Sequence, residues 1–187
     1  MAKQLGIIPL RTINGTSRGD TVTATAPFGD GLSGLGGNDR RNGSSGWDVL
    51  FGGSGDDRLF GNGGDDWLNG GAGNDTINGG TGIDTADYSD ATGAITLNLA
   101  LTGGQRTGGA GTDTVTNVEN INGSAFNDRL TGNALANQID GNAGNDSLFG
   151  MAGNDILTGG LGNDVLDGGT GIDTADYADA TFGVSIN

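Results

Sequence analysis

Aspartate recurs every nine residues along two stretches of this chain. It stands at Asp30, Asp39, Asp48, Asp57, Asp66, Asp75 and Asp84, and again at Asp128, Asp146, Asp155, Asp164 and Asp173. Asn137 fills the one gap in the second series, and Asp113 stands alone between the two. Carboxylates in such an array can ligate a cation or act as an acid–base pair. The fixed register favours ligation, because a catalytic pair has no reason to repeat. Nearly all the acid is aspartate; Glu119 is the only glutamate, and the formal net charge is −15. A surface acidic only for solubility would mix both residues, whereas the shorter carboxylate suits ligation from within a tight turn. The charge attracts cations and repels nucleic acid and anionic membranes.

Other chemistries are excluded by composition. The chain has no cysteine and no histidine. Thiol nucleophiles, imidazole bases and most zinc hydrolases are therefore impossible. Lys3 is the only lysine, so no phosphate-binding loop of the Walker type is present. No stretch is long enough for a membrane-spanning helix. The expectation is that the chain is not an enzyme.

The elements that must position the aspartates follow from the repeat. The first block reads GLGGNDRRN, GSSGWDVLF, GGSGDDRLF, GNGGDDWLN, GGAGNDTIN, GGTGIDTAD from Gly34 to Asp87. The second reads GSAFNDRLT, GNALANQID, GNAGNDSLF, GMAGNDILT, GGLGNDVLD, GGTGIDTAD from Gly123 to Asp176. A lone copy, GGAGTDTVT, lies at Gly108 to Thr116, and the blocks are a duplication offset by 89 residues. Positions one to six carry the glycine, Asn and Asp of a turn with positive φ. Positions seven to nine fit a brief strand, with position eight pointing inward. The inward set is Leu50, Leu59, Leu68, Ile77, Leu130, Ile139, Leu148, Leu157 and Leu166.

Two repeats make a coil of eighteen residues, so strands stack in parallel at ~4.8 Å. The turns then form two ladders, one along each side. The expected carboxylate pairs are Asp30 with Asp48, Asp39 with Asp57, Asp48 with Asp66, Asp57 with Asp75 and Asp66 with Asp84. In the second block they are Asp128 with Asp146, Asn137 with Asp155, Asp146 with Asp164 and Asp155 with Asp173. Bare carboxylates that close repel one another, and a hard cation between them resolves this. Ca²⁺ takes ~6–8 oxygens in a flexible shell, whereas Mg²⁺ insists on an octahedron and keeps its waters. Roughly eight Ca²⁺ would nearly cancel the charge.

These nonapeptides match GGxGxDxUx, with U a large aliphatic residue, and so resemble the RTX (repeats-in-toxin) family of calcium-binding repeats. The resemblance covers most of the chain. It implies an all-β fold, a parallel β-roll (a right-handed β-solenoid) of stacked 18-residue coils in two duplicated blocks. It implies Ca²⁺ shared between turns one coil apart, with two aspartates and backbone carbonyls as ligands. It also implies a secreted, extracellular bacterial protein exported by type I secretion.

The predicted organisation is a lead-in at 1–14, a first roll at 15–91, connecting strands with the isolated repeat at 92–122, and a second roll at 123–187 that ends partway through its own following segment. One aliphatic residue per nine buries little against an ordering cost of ~1–2 kcal/mol per residue, so metal is expected to complete the fold. Several residues depart from the pattern. Arg41 takes an inward position, which predicts an imperfect N-terminal coil. Asn137 predicts a weaker site, and Phe126, at a fourth-position glycine, predicts a cap. Ile95, Leu97, Leu99 and Leu101 alternate as one longer strand. Asp87, Asp90, Asp176 and Asp179 could ligate terminal ions. Trp47, Phe51 and Trp67 face outward and could stack on sugars. The alternative reading is thus a polysaccharide-binding accessory beside a catalytic domain such as an alginate epimerase.

Overall fold

The computed structural model describes residues 11–24 and 29–177. Among the described residues every regular element is a β-strand, and no helix is long and apolar enough to cross a membrane. Most strands span the three positions between glycine-rich turns, and four in the first block extend to six residues by running on into the glycines.

One long sheet runs through both blocks. Its nine strands, in spatial order, are Arg11–Asn14, Asp30–Ser33, Val49–Ser54, Trp67–Ala72, Thr85–Asp87, Asn120–Asn122, Gln138–Asp140, Ile156–Thr158 and Thr174–Asp176. Neighbours pair in parallel, one coil apart, as in Leu32 with Leu50 and Leu50 with Leu68. The side chains stack like on like, which is what a repeat of eighteen residues per coil requires.

The opposite face is split. Thr21–Thr23, Arg40–Asn42, Arg58–Gly63, Thr76–Thr81 and Thr112–Thr116 form one parallel sheet, closed at its edge by Gln105–Arg106. Thr96–Asn98, Arg129–Thr131, Ser147–Phe149 and Val165–Asp167 form another. The lone repeat is therefore not isolated. Thr112–Thr116 stacks directly on Thr76–Thr81, and Gln105–Arg106 runs antiparallel to it. The chain leaves the roll after Asn98 and returns to insert the repeat one coil back. The expected long strand through Ile95 to Leu101 is shorter than its alternation suggested. Ile95 and Leu97 are buried, but the strand stops at Asn98 and Leu101 is exposed. A turn that returns Leu101 N–H to the Asn98 carbonyl ends it.

The core is a single file of aliphatic side chains between the two faces. Leu32, Leu50, Leu68, Ile121, Ile139 and Leu157 come from the long sheet; Leu59, Ile77, Val115, Leu97, Leu130 and Leu148 come from the facing sheets. Leu166, on the last facing strand, is only partly buried. On the outer surface Arg40 lies 4.2 Å over the ring of Phe60, and Arg129 lies 4.4 Å over Phe149. These two stacks are equivalent under the 89-residue duplication, each worth ~0.5–1 kcal/mol at an exposed site.

Candidate metal centre

The coil length brings the aspartates into contact. Along most of both ladders the backbone N–H of one member donates to Oδ1 of the aspartate one coil later. Asp39 donates to Asp57 at 2.6 Å, Asp48 to Asp66 at 2.7 Å, and Asp66 to Asp84 at 2.8 Å. Asp128 donates to Asp146 at 2.7 Å, Asp146 to Asp164 at 2.9 Å, and Asp155 to Asp173 at 3.0 Å. Asp30 donates likewise to Asp48, and Asn137 to Asp155. Two ladders thus run along the two sides, at the eighteen-residue separations read from the sequence.

One oxygen of each carboxylate is used in this way. The other, Oδ2, is buried without a hydrogen-bond partner in Asp57, Asp66, Asp75, Asp84, Asp146 and Asp155. A buried anionic oxygen left unsatisfied is costly. Each of these points into a cradle that a side chain would fill. At Gly141 an added Cβ would meet Asp146 Oδ2 at 2.5 Å and the Gly159 carbonyl at 2.8 Å. At Gly52 it would meet Asp57 Oδ2 and the Gly70 carbonyl, and at Gly61 Asp66 Oδ2 and the Gly79 carbonyl. The first glycine of the repeat is required there by space. All donors facing the cradles are hard oxygens, the set that Ca²⁺ prefers. Among the described residues no three acidic side chains converge, so backbone carbonyls must supply most of the shell. The residues present fit a calcium ion.

The electrostatics agree. Burial, with neighbouring carboxylates adding to it, raises Asp66 and Asp75 to about 7. Burial raises Asp57, Asp84 and Asp146 to about 6. The folded ladder resists holding these groups ionised without a counter-charge.

Other ladder members have no oxygen to spare. Asp48 Oδ2 accepts from the Ser44 N–H at 2.5 Å and the Ser44 hydroxyl at 3.0 Å. Asp128 Oδ2 accepts from the Ser124 N–H at 2.6 Å, and its Oδ1 from the Ser124 hydroxyl and the Ile95 N–H, both at 2.7 Å. Asn137 accepts from the Asn133 N–H, and its amide donates to the Glu119 carbonyl. Asp113 accepts from the Asp75 N–H at 2.9 Å and the Thr107 hydroxyl at 2.8 Å. The buried Tyr88 faces it, its pKa pushed well up by burial and by that carboxylate. Asp164 and Asp173 are half-buried at the C-terminal end.

Arg41 overturns an expectation. The coil around it is not open; Arg41 is fully buried. Its Nη2 lies 3.2 Å from Asp39 Oδ2 and donates to the Ser33 carbonyl at 3.3 Å. The same nitrogen fills the space beside Gly15, next to Asp20 Oδ2 and the Gly34 carbonyl. The side chain is long enough to run through the core and put its charge in the turn. Its Nε and Nη1 have no partner, so it acts mainly as a charge.

Sequence reasoning missed other participants. Glu119 takes the place of a ladder aspartate by accepting the Asp84 N–H at 2.9 Å; its being the only glutamate was a signal. Asp87 has both oxygens taken by the Asn69 and Asn122 amides, and Asp90 accepts from Asn69. Side-chain amides therefore already serve both. Asp176 is exposed, and Asp179 lies outside the described residues. Trp47 and Phe51 are exposed. Trp67 lines a shallow groove on the long sheet with Thr85, Asn120, Asn122, Gln138 and Asp140.

A family model for the RTX calcium-binding nonapeptide repeat matches the chain in four copies, at residues 29–59, 51–86, 116–148 and 140–175. No curated protein matches it.

Proposed function

The chain belongs to the RTX calcium-binding nonapeptide repeat family, and we propose that its ladders take up Ca²⁺ between successive coils and that this uptake drives the roll to fold. At the coarser level it is a calcium-binding module on a β-roll, a structural unit rather than an enzyme domain. The observation that carries the finer reading is the row of buried, unpartnered Oδ2 atoms facing glycine cradles. Asp57, Asp66, Asp75, Asp84, Asp146 and Asp155 hold the ion through these oxygens. The glycine carbonyls of the adjoining coil complete its shell, and Asp39, Asp164 and Asp173 extend the ladders. Bound Ca²⁺ supplies the positive charge that keeps the carboxylates ionised.

The module is part of a secreted bacterial protein exported by the type I route. It crosses unfolded where Ca²⁺ is scarce and folds outside. Extracellular calcium modules bind in the ~10⁻⁴–10⁻³ M range, and an affinity of that class would switch at export. Titration calorimetry tests the reading. Uptake of several Ca²⁺, up to about eight, with no comparable response to Mg²⁺, is expected. Absence of Ca²⁺ uptake at about 10⁻² M, tenfold above that range, would overturn it.

The groove beside Trp67 favours a second role, as a polysaccharide-binding accessory to an adjoining catalytic domain. An indole face beside amide and hydroxyl groups is a surface on which a sugar ring stacks and hydrogen-bonds. Retention on an immobilised acidic glycan such as alginate, lost in Trp67→Ala with Ca²⁺ uptake unchanged, would support it. Equal retention of wild type and variant would remove it.

A further inference from the structure

The turns adopt two main conformations, and both the second and the fourth residue of the repeat bear on which is taken. Asn62 and Asn142 stand in open turns with glycine at the fourth position. Turn 132–137, with Asn133 second and Leu135 fourth, has no positive φ, and its Asn133 N–H donates to its own Asn137 Oδ1 at 2.8 Å. In the open form the second and fourth residues both have positive φ. Examples are Gly53 and Gly55 at 106° and 122°, Asn62 and Gly64 at 73° and 102°, and Asn142 and Gly144 at 66° and 137°. Met151 and Gly153 follow at 81° and 131°. Asp57, Asp66, Asp146 and Asp155, with the unpartnered oxygens, belong to these turns. In turns 43–48 and 123–128 no residue has positive φ. Ser44 and Ser124 instead donate backbone N–H and hydroxyl to the turn's own aspartate. Each serine oxygen also accepts an N–H two residues on, from Gly46 at 3.2 Å and from Phe126 at 3.1 Å. A serine gains these bonds only outside the left-handed region, so it holds the turn closed. Turn 43–48 closes although its fourth residue is Gly46, which leaves Ser44 as the deciding residue.

Closure turns over the peptide between the first two residues. In open turns the first glycine's carbonyl faces the cradle of the coil before it, as Gly61 O faces Gly43 and Gly70 O faces Gly52. In the closed turns that carbonyl instead accepts from the following coil: Gly43 O from the Asn62 amide at 2.9 Å, and Gly123 O from the Asn142 amide at 2.7 Å. The closed turn therefore presents N–H and O–H donors to its carboxylate where an open turn leaves a bare oxygen. Donors placed there neutralise the carboxylate and oppose a cation. Turn 15–20 repeats the device: Asp20 Oδ2 accepts the Thr16 N–H at 2.6 Å and its hydroxyl at 2.9 Å, and Arg41 fills the space beside Gly15.

We propose that Ser44 and Ser124 are built-in substitutes for Ca²⁺, so that the cradles of turns 43–48 and 123–128 take no ion. Two of the pairs expected from the spacing, Asp48 with Asp66 and Asp128 with Asp146, are then not calcium sites. Where the fourth residue is glycine, as in turn 43–48, the second-position residue sets whether the repeat binds. This inference rests on the calcium reading above and refines where the ions lie.

Counting bound Ca²⁺ per chain by equilibrium dialysis at saturation tests it. Ser44→Gly turns the repeat into GGSGWD and is expected to bind one ion more than wild type. Asp48→Asn is expected to leave the count unchanged, whereas Asp57→Asn lowers it. An unchanged count in Ser44→Gly, or a lowered count in Asp48→Asn, overturns the inference while calcium binding itself stands. A wild-type chain that binds no Ca²⁺ overturns the calcium reading, and this inference with it.

Discussion

The Asp57 N–H donates to Asp75 Oδ1 at 2.8 Å across one coil, while Asp75 Oδ2 remains buried with no partner. One carboxylate thus fixes the register of the stack with one oxygen and demands a counter-charge with the other. The structural role and the proposed metal-binding role meet in this residue. Asp75→Asn should keep an Oδ1 acceptor for Asp57 but place an amide in the cradle. The midpoint of calcium-induced folding, read by circular dichroism, should rise several-fold. A midpoint equal to wild type would show that Asp75 contributes no ligand.

The raised carboxylates set a pH dependence with a definite sign. Asp66 and Asp75 sit near 7 in the folded ladder against ~3.9 in an unfolded chain. Between those values the folded state binds more protons than the unfolded one. Metal-free folding is therefore favoured by acid, and the benefit is lost as pH rises through about 7. In excess chelator the β signal should be larger at pH 5 than at pH 8. An equal or smaller β signal at pH 5 would contradict the raised values.

Arg41 and Asp39 form a fully buried ion pair. Removing one partner of such a pair typically costs about 3–5 kcal/mol, because it leaves the other charge buried without compensation. Arg41→Leu frees Asp39, which calcium can then serve. Asp39→Asn, which strands the guanidinium, should therefore destabilise the calcium-loaded roll more than Arg41→Leu does. Urea denaturation at saturating Ca²⁺ measures both. The reverse order would show that the pair is not the partner set that matters.

Much of this was legible in the sequence, because a strict repeat ties local pattern to neighbours in space. The nine-residue register gave the inward Leu50, Leu59 and Leu68 and the pairing of Asp39 with Asp57. What was not legible depended on breaks in that register. The repeat at Gly108 to Thr116 pairs with residues 38 earlier rather than 18, and no local signal announces that the chain steps out and back. Arg41 was read as a flaw because an inward charge is normally expensive. Its length lets it deliver that charge to a carboxylate, which a one-letter pattern does not show. The serines at 44 and 124 were passed over because the repeat motif treats them as tolerated substitutions. Their hydroxyls and the peptide they turn over alter the chemistry of the turn.

The central claim is that calcium completes the fold rather than decorating a finished one. Far-ultraviolet circular dichroism of the chain at pH 7.5, recorded in excess EDTA and then in millimolar Ca²⁺, tests it most directly. The account predicts a largely unfolded spectrum in chelator and a cooperative gain of β signal on adding Ca²⁺, reversed by further EDTA. Full β structure persisting in excess EDTA would contradict it.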